Sequence, residues 1–119
     1  MEKNEVITAF AALAQENRLD AFRLLVEAGP DGMAAGEVAA ALGLAPNTLS
    51  FHLDRLRQAD LVSVQRHGRS LVYAARFDTM NALIAYLTEN CCGRNPKLCA
   101  PPRCAPGRTT VKRKKEIAQ

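Results

Sequence analysis

The sequence predicts a mainly α-helical fold of five helices with one small two-stranded β-hairpin. Apolar residues recur at helical spacing through most of the first 90 positions. After the fourth helical stretch, two short β-prone runs flank His67-Gly68-Arg69. The residues are 48% apolar but only 5% aromatic, so Leu, Ala and Val must build the core, which favours helices. A chain of 119 residues suits one compact domain with an appendage, here divided as a body over 1–90 and a cysteine-bearing segment with a basic tail over 91–119.

Val6, Phe10 and Leu13 mark a first amphipathic helix, and Leu19, Phe22, Leu25 and Val26 lie on one side of a second over about 17–28. Gly29-Pro30-Asp31-Gly32 stops it. A short third helix over 35–42 turns Val38 and Leu42 inward and ends at Gly43, a good left-handed residue. Pro46 opens a fourth, to about 59, with Leu49, Leu53 and Leu56 at i, i+4 and i+7. Residues 61–66 and 70–75 form the hairpin, with glycine in its turn. The fifth helix begins near Asp78, whose side chain caps it, carries Met80, Leu83, Ile84 and Leu87 on one stripe, and ends near Asn90. Beyond it, Pro96, Pro101, Pro102 and Pro106 disfavour any long helix.

The chain starts with charge where a secretory leader needs an apolar core, and no run approaches the roughly 18 apolar residues of a membrane span, so a cytoplasmic protein without a membrane partner is expected. The net charge of +4 is uneven: residues 91–119 hold 8 Lys/Arg against 1 acidic residue, whereas 1–90 hold 8 against 11. Within the body, Arg55, Arg57, Arg66, Arg69 and Arg76 cluster between 45 and 76 against only Asp54 and Asp60, a bias that suits phosphate contact.

The third helix, the turn through Gly43-Leu44-Ala45 and the fourth helix form a helix-turn-helix, and the hairpin supplies a wing. Asn47, Thr48, Ser50, His52 and Arg55 fall off the leucine stripe, giving the fourth helix an outward face of donors and acceptors fit for a DNA major groove. Arg66 and Arg69 on the wing reach phosphates or the minor groove. A core stripe with an idle solvated face explains the helix alone, but not the helix, turn, hairpin and arginine bias together.

Three stretches resemble the ArsR/SmtB family of metal-responsive winged helix-turn-helix repressors, over essentially 5–90. Leu13-Ala14-Gln15-Glu16-Asn17-Arg18-Leu19 is similar to the family's opening of the second helix. Leu44-Ala45-Pro46-Asn47-Thr48-Leu49-Ser50-Phe51-His52-Leu53, with Leu56 and Leu61-Val62, resembles its recognition helix and adds Phe51 to the reading face. Arg66-His67-Gly68-Arg69 with Tyr73 resembles its wing. Asp60 stands where the family usually has Gly, a left-handed position that Asp tolerates. The resemblance implies a homodimer paired through the first and fifth helices, bound to double-stranded operator DNA.

All four cysteines, Cys91, Cys92, Cys99 and Cys104, follow the fifth helix within 14 residues. In a reducing compartment such a cluster reads as ligands or redox thiols, and soft thiolates select soft ions. Trivalent arsenic takes three sulfurs in a pyramid, which the vicinal pair and one thiol from the following loop can supply. A four-thiolate zinc or cadmium site, a redox switch and an inert tail are the alternatives, although adjacent cysteines fit poorly with a zinc knuckle. Arg94, Lys97 and Arg103 favour the thiolate.

The family's Cys-x-Cys arsenic motif is absent from 37–42, and its Asp-x-His zinc opening is absent at Asp78-Thr79-Met80. Cys91, Cys92 and Cys99 resemble another arsenite site in the family, with Cys104 as an alternative third ligand. The expected inducer is arsenite, with antimonite as a second, and no organic cofactor. An enzyme finds no support: there is no Cys-x-x-Cys, no phosphate loop and no βαβ pattern, and no small-molecule substrate is expected.

Overall fold

The structure, a computed structural model, describes residues 1–94. Helix α1 (Lys3–Leu13) is closed at its start by Glu5, whose carboxylate accepts the Glu2 backbone N–H at 2.8 Å. Helix α2 (Glu16–Ala28) is capped by Gln15, which accepts from the Arg18 N–H at 2.9 Å, and it stops at Gly29 (φ 86°). Strand β1 (Met33–Ala34) leads into α3 (Ala35–Leu42), where the Glu37 carboxylate accepts from the Ala34 N–H at 3.0 Å.

Gly43 takes the expected left-handed conformation, and Leu44 N–H returns to the Ala39 carbonyl at 3.0 Å, which closes the helix and sets the tight turn. Helix α4 (Pro46–Gln58) ends before Asp60, which adopts φ 64° as its position required. Strands β2 (Val62–His67) and β3 (Ser70–Ala75) pair from Val62↔Ala75 to His67↔Ser70, so the wing tip is the two residues Gly68 and Arg69. Helix α5 (Phe77–Thr88) and a short 3-10 turn (Cys91–Arg94) follow. No helix among the described residues is long and apolar enough to cross a membrane.

The core is built by leucine. Leu24 and Leu25 of α2, Val38 of α3, Leu49, Leu53 and Leu56 of α4, and Leu61 and Val62 at the wing's root are all at most 2% exposed. Removing one such leucine costs about 2–5 kcal/mol, so three of them anchor α4 firmly.

Four expectations change. The sheet has three strands in the order β1-β3-β2, because Met33 and Ala34 pair antiparallel with Tyr73 and Val72. Phe10 and Leu19, placed inward by their spacing, are 38% and 42% exposed, and Leu24 takes the buried position on α2 instead. The stripe of α5 divides: Leu83 is buried and Met80 packs against the core, while Ile84 and Leu87 face outward. Asp78 is not the cap of α5. It lies inside the first turn and pairs with Arg76 at 3.1 Å, and Arg76 also holds Asp60 at 3.0 Å.

Gly32 (φ 73°) passes so close to β3 that a Cβ there would meet the Tyr73 carbonyl. Gly32→Ala therefore combines the left-handed penalty of about 1–2 kcal/mol with a displaced strand. Gly43→Ala, in open space, incurs the conformational penalty alone. Urea midpoints should fall further for Gly32→Ala than for Gly43→Ala.

Candidate DNA-reading surface

Helix α4 advances about 100° per residue, so its three leucines hold one side to the core and leave the opposite side to solvent. Asn47, Thr48, Ser50, Phe51 and Arg55 are all exposed on it. Pro46 opens the helix and its first turn holds no acidic residue, which keeps the positive end of the helix dipole open to phosphate. The Asn47 side chain accepts from the Thr48 N–H at 3.0 Å. The Arg55 guanidinium lies 5.1 Å from the centroid of the Phe51 ring, within cation–π range. Further along, Asp54 engages Arg57 and Gln58, each at 2.7 Å.

On the wing, Arg66 near the end of β2 and Arg69 at the tip are both exposed. The wing therefore carries guanidinium groups at its far end, as phosphate or minor-groove contact demands.

His52 departs from the expected reading face. It is 8% exposed, on the core side of α4, with its Nδ1 3.4 Å from Nη1 of Arg18. The physical reason lies in α2. Arg18 is held by donating from its Nε to the Ala12 carbonyl at 2.6 Å, and it supplies the polar partner that lets an imidazole be buried beside leucines. His52 is thus a positioning residue behind the reading face. Arg18 was missed at the sequence level, where its only signal is its place in the second-helix opening that resembles the family's. Together with Ile7, Thr8, Arg55 and Gln58, it lines a cleft of about 410 Å³ between α1 and α4.

Burial of the ring, and then the Arg18 guanidinium beside it, hold the pKa of His52 below its ordinary value of 6.5. Because the folded chain resists protonation there, this contribution to stability is complete above the unfolded value near 6.5 and is lost as pH falls from there toward the lower folded value. Urea midpoints should drop on acidification below pH 6.5. His52→Gln should flatten that drop, and an unchanged slope would show that His52 is not the group responsible.

Of the expected sulfur ligands, Cys91 stands half-buried at the start of the 3-10 turn directly after α5. Cys92 follows it on the same turn, while Cys99 and Cys104 lie outside the described residues. Asn90, Gly93 and Arg94 all take positive φ, which no right-handed α-helix adopts, so α5 does not continue through them.

A helix-turn-helix whose second helix is pinned by leucines and faces outward with amide, hydroxyl and guanidinium groups, beside an arginine-tipped wing, is a DNA-binding domain of the winged-helix class. A family model described as a helix-turn-helix domain matches residues 13–65. The HTH-type transcriptional regulator YgaV of Escherichia coli strain K12 is 33% identical over 69 residues, which are 58% of this chain and 70% of that protein. Among solved structures, HlyU from Vibrio cholerae superposes with a TM-score of 0.61 at 29% identity, covering 77% of this chain and 99% of that one. A homodimeric winged helix-turn-helix DNA-binding domain from Mycobacterium bovis, of a possible ArsR-family regulator, matches with a TM-score of 0.59 at 26% identity, covering 77% of this chain and 85% of that one. This chain belongs to the helix-turn-helix transcriptional regulators. The family is one of DNA-binding regulators rather than enzymes.

Proposed function

We propose that the protein is a cytoplasmic, homodimeric repressor that leaves its operator when Cys91, Cys92 and a downstream thiol, Cys99 or alternatively Cys104, capture trivalent arsenic. The observation that carries this reading is the place of the cysteines. Every one of them follows α5, the helix whose Ile84 and Leu87 remain exposed, 43% and 63%, although its Leu83 is buried in the core. In a dimer paired through α1 and α5, ligand drawn in at the end of α5 alters how the two reading heads are held. A coupling of about 1–3 kcal/mol suffices to relieve repression several-fold to a hundredfold.

The chemistry suits the donors. Arsenous acid exchanges three hydroxyls for three thiolate sulfurs, each thiol proton leaving with a hydroxyl as water, and soft sulfur favours soft arsenic or antimony over hard ions. Titrating reduced protein with arsenite, antimonite, cadmium or zinc, while following release of fluorescent DNA from its own promoter, ranks the inducers. Release by arsenite or antimonite at the lowest concentration is expected. Release by zinc or cadmium alone, or only by a thiol oxidant, would replace the arsenic reading.

On the DNA side, Ser50→Ala should narrow the gap between operator and random duplex, by about 1–3 kcal/mol if the hydroxyl meets a base. Arg69→Ala should weaken binding to both and lower the salt slope by about one. Wild-type binding by both variants would remove these residues from the interface.

A further inference from the structure

We propose that Phe51 reads the 5-methyl group of a thymine in each operator half-site. The inference rests on α4 being the groove-reading helix and deepens that reading by naming what one side chain recognises.

Phe51 lies two residues, about 200° of helical turn, from Leu49, which puts it on the far side of α4 from the core. It is 53% exposed, in contrast to the leucines that the same helix buries almost completely. Its flanking residues on that face, Asn47 one turn before and Arg55 one turn after, are both polar. A large apolar ring is thus presented from the centre of a hydrogen-bonding surface, where by itself it gains nothing from solvent.

The ring is also held in place. Arg55 stacks on it at 5.1 Å, and the His52 ring meets it edge-on at 5.7 Å between centroids. His52 in turn is buried against the core and faces Arg18. A chain of contacts therefore runs from α2 through His52 to Phe51, so the ring need lose little freedom on meeting DNA.

A phenyl ring offers no hydrogen bond, so it cannot read the donor and acceptor edges of the bases. The apolar group that base edges present in the major groove is the thymine methyl, and contact with it removes both surfaces from water. The other large exposed apolar residues lie off α4, with Ile7 and Phe10 on α1, Leu19 on α2, Leu71 on the wing, and Ile84, Tyr86 and Leu87 on α5, so Phe51 stands alone on the reading helix.

The test uses full-length reduced protein and duplexes selected by it from a randomised library. Each thymine of the selected site is then replaced by deoxyuridine, which removes only the methyl group. One position per half-site should lose about fourfold in affinity, the ratio expected for one methyl-sized apolar group, and both together about fifteenfold. Phe51→Ala should bind deoxyuridine and thymine duplexes alike and should select sites degenerate at that position. Its affinity should fall more on the selected site than on unrelated DNA.

Indifference of the wild type to every deoxyuridine substitution, or a deoxyuridine penalty that persists in Phe51→Ala, overturns the assignment while leaving α4 as the reading helix. Failure of the wild type to select any consensus overturns both.

Discussion

Serine at both Cys91 and Cys92 should abolish arsenite-driven release of DNA while operator affinity stays close to that of wild type. The expectation follows from chemistry and place. Serine oxygen is a far poorer ligand than thiolate sulfur for a soft metalloid, so two of three ligands disappear. The pair lies on the turn after α5, remote in sequence from Asn47, Thr48, Ser50, Phe51 and Arg55, so the reading face is untouched. Cys99 and Cys104, outside the described residues, separate by loop length. Closing the shorter loop to Cys99 is favoured, though by less than about 1 kcal/mol, so Cys99→Ser should impair induction and Cys104→Ser should be mild. X-ray absorption on the loaded protein should count three sulfur neighbours. Four sulfurs around zinc, or full arsenite response in the double serine variant, would sink the site.

The second large effect concerns assembly. Ile84→Asp with Leu87→Asp should leave the fold intact, because both side chains are exposed in the single chain, and should still produce a monomer. Ile7 on α1 is 56% exposed as well, so two elements present apolar surface that the core does not need. A dimer sets two recognition helices about 34 Å apart, or a multiple of that, and matches an imperfect palindrome. Without the link between the heads, operator affinity should fall by about a hundredfold or more, the usual return from joining two weak contacts. Sedimentation at micromolar concentration and the length of the DNA footprint check both parts. A wild-type monomer with a non-palindromic footprint would contradict the dimer directly.

Much of this was legible in the sequence, and for local reasons. The leucine spacing of α4, Gly43 after α3, Pro46 at the start of the next helix and Asp60 in a left-handed slot each act within a few residues, and each adopts the expected conformation. The hairpin was legible because alternation and a glycine turn are also local. Strand β1 was not: two residues carry no period, and they become a strand only by pairing with Val72 and Tyr73, some forty positions away.

His52 shows the same division at the reading surface. Its neighbours in sequence place it beside the stripe as readily as on the outward face, and Arg18, reaching across from α2, decides the matter by giving a buried imidazole a partner. Phe10, Leu19, Ile84 and Leu87 repeat it for apolar residues, since periodicity says which side chains share a face and leaves open whether anything covers that face. By itself, then, the sequence determined the order of the helices, the turn between α3 and α4, the wing, and the position of every cysteine after α5. Only the tertiary structure decided which sides of those helices meet one another, because burial is a property of the neighbours an element acquires on folding, and these come from parts of the chain that local spacing does not see.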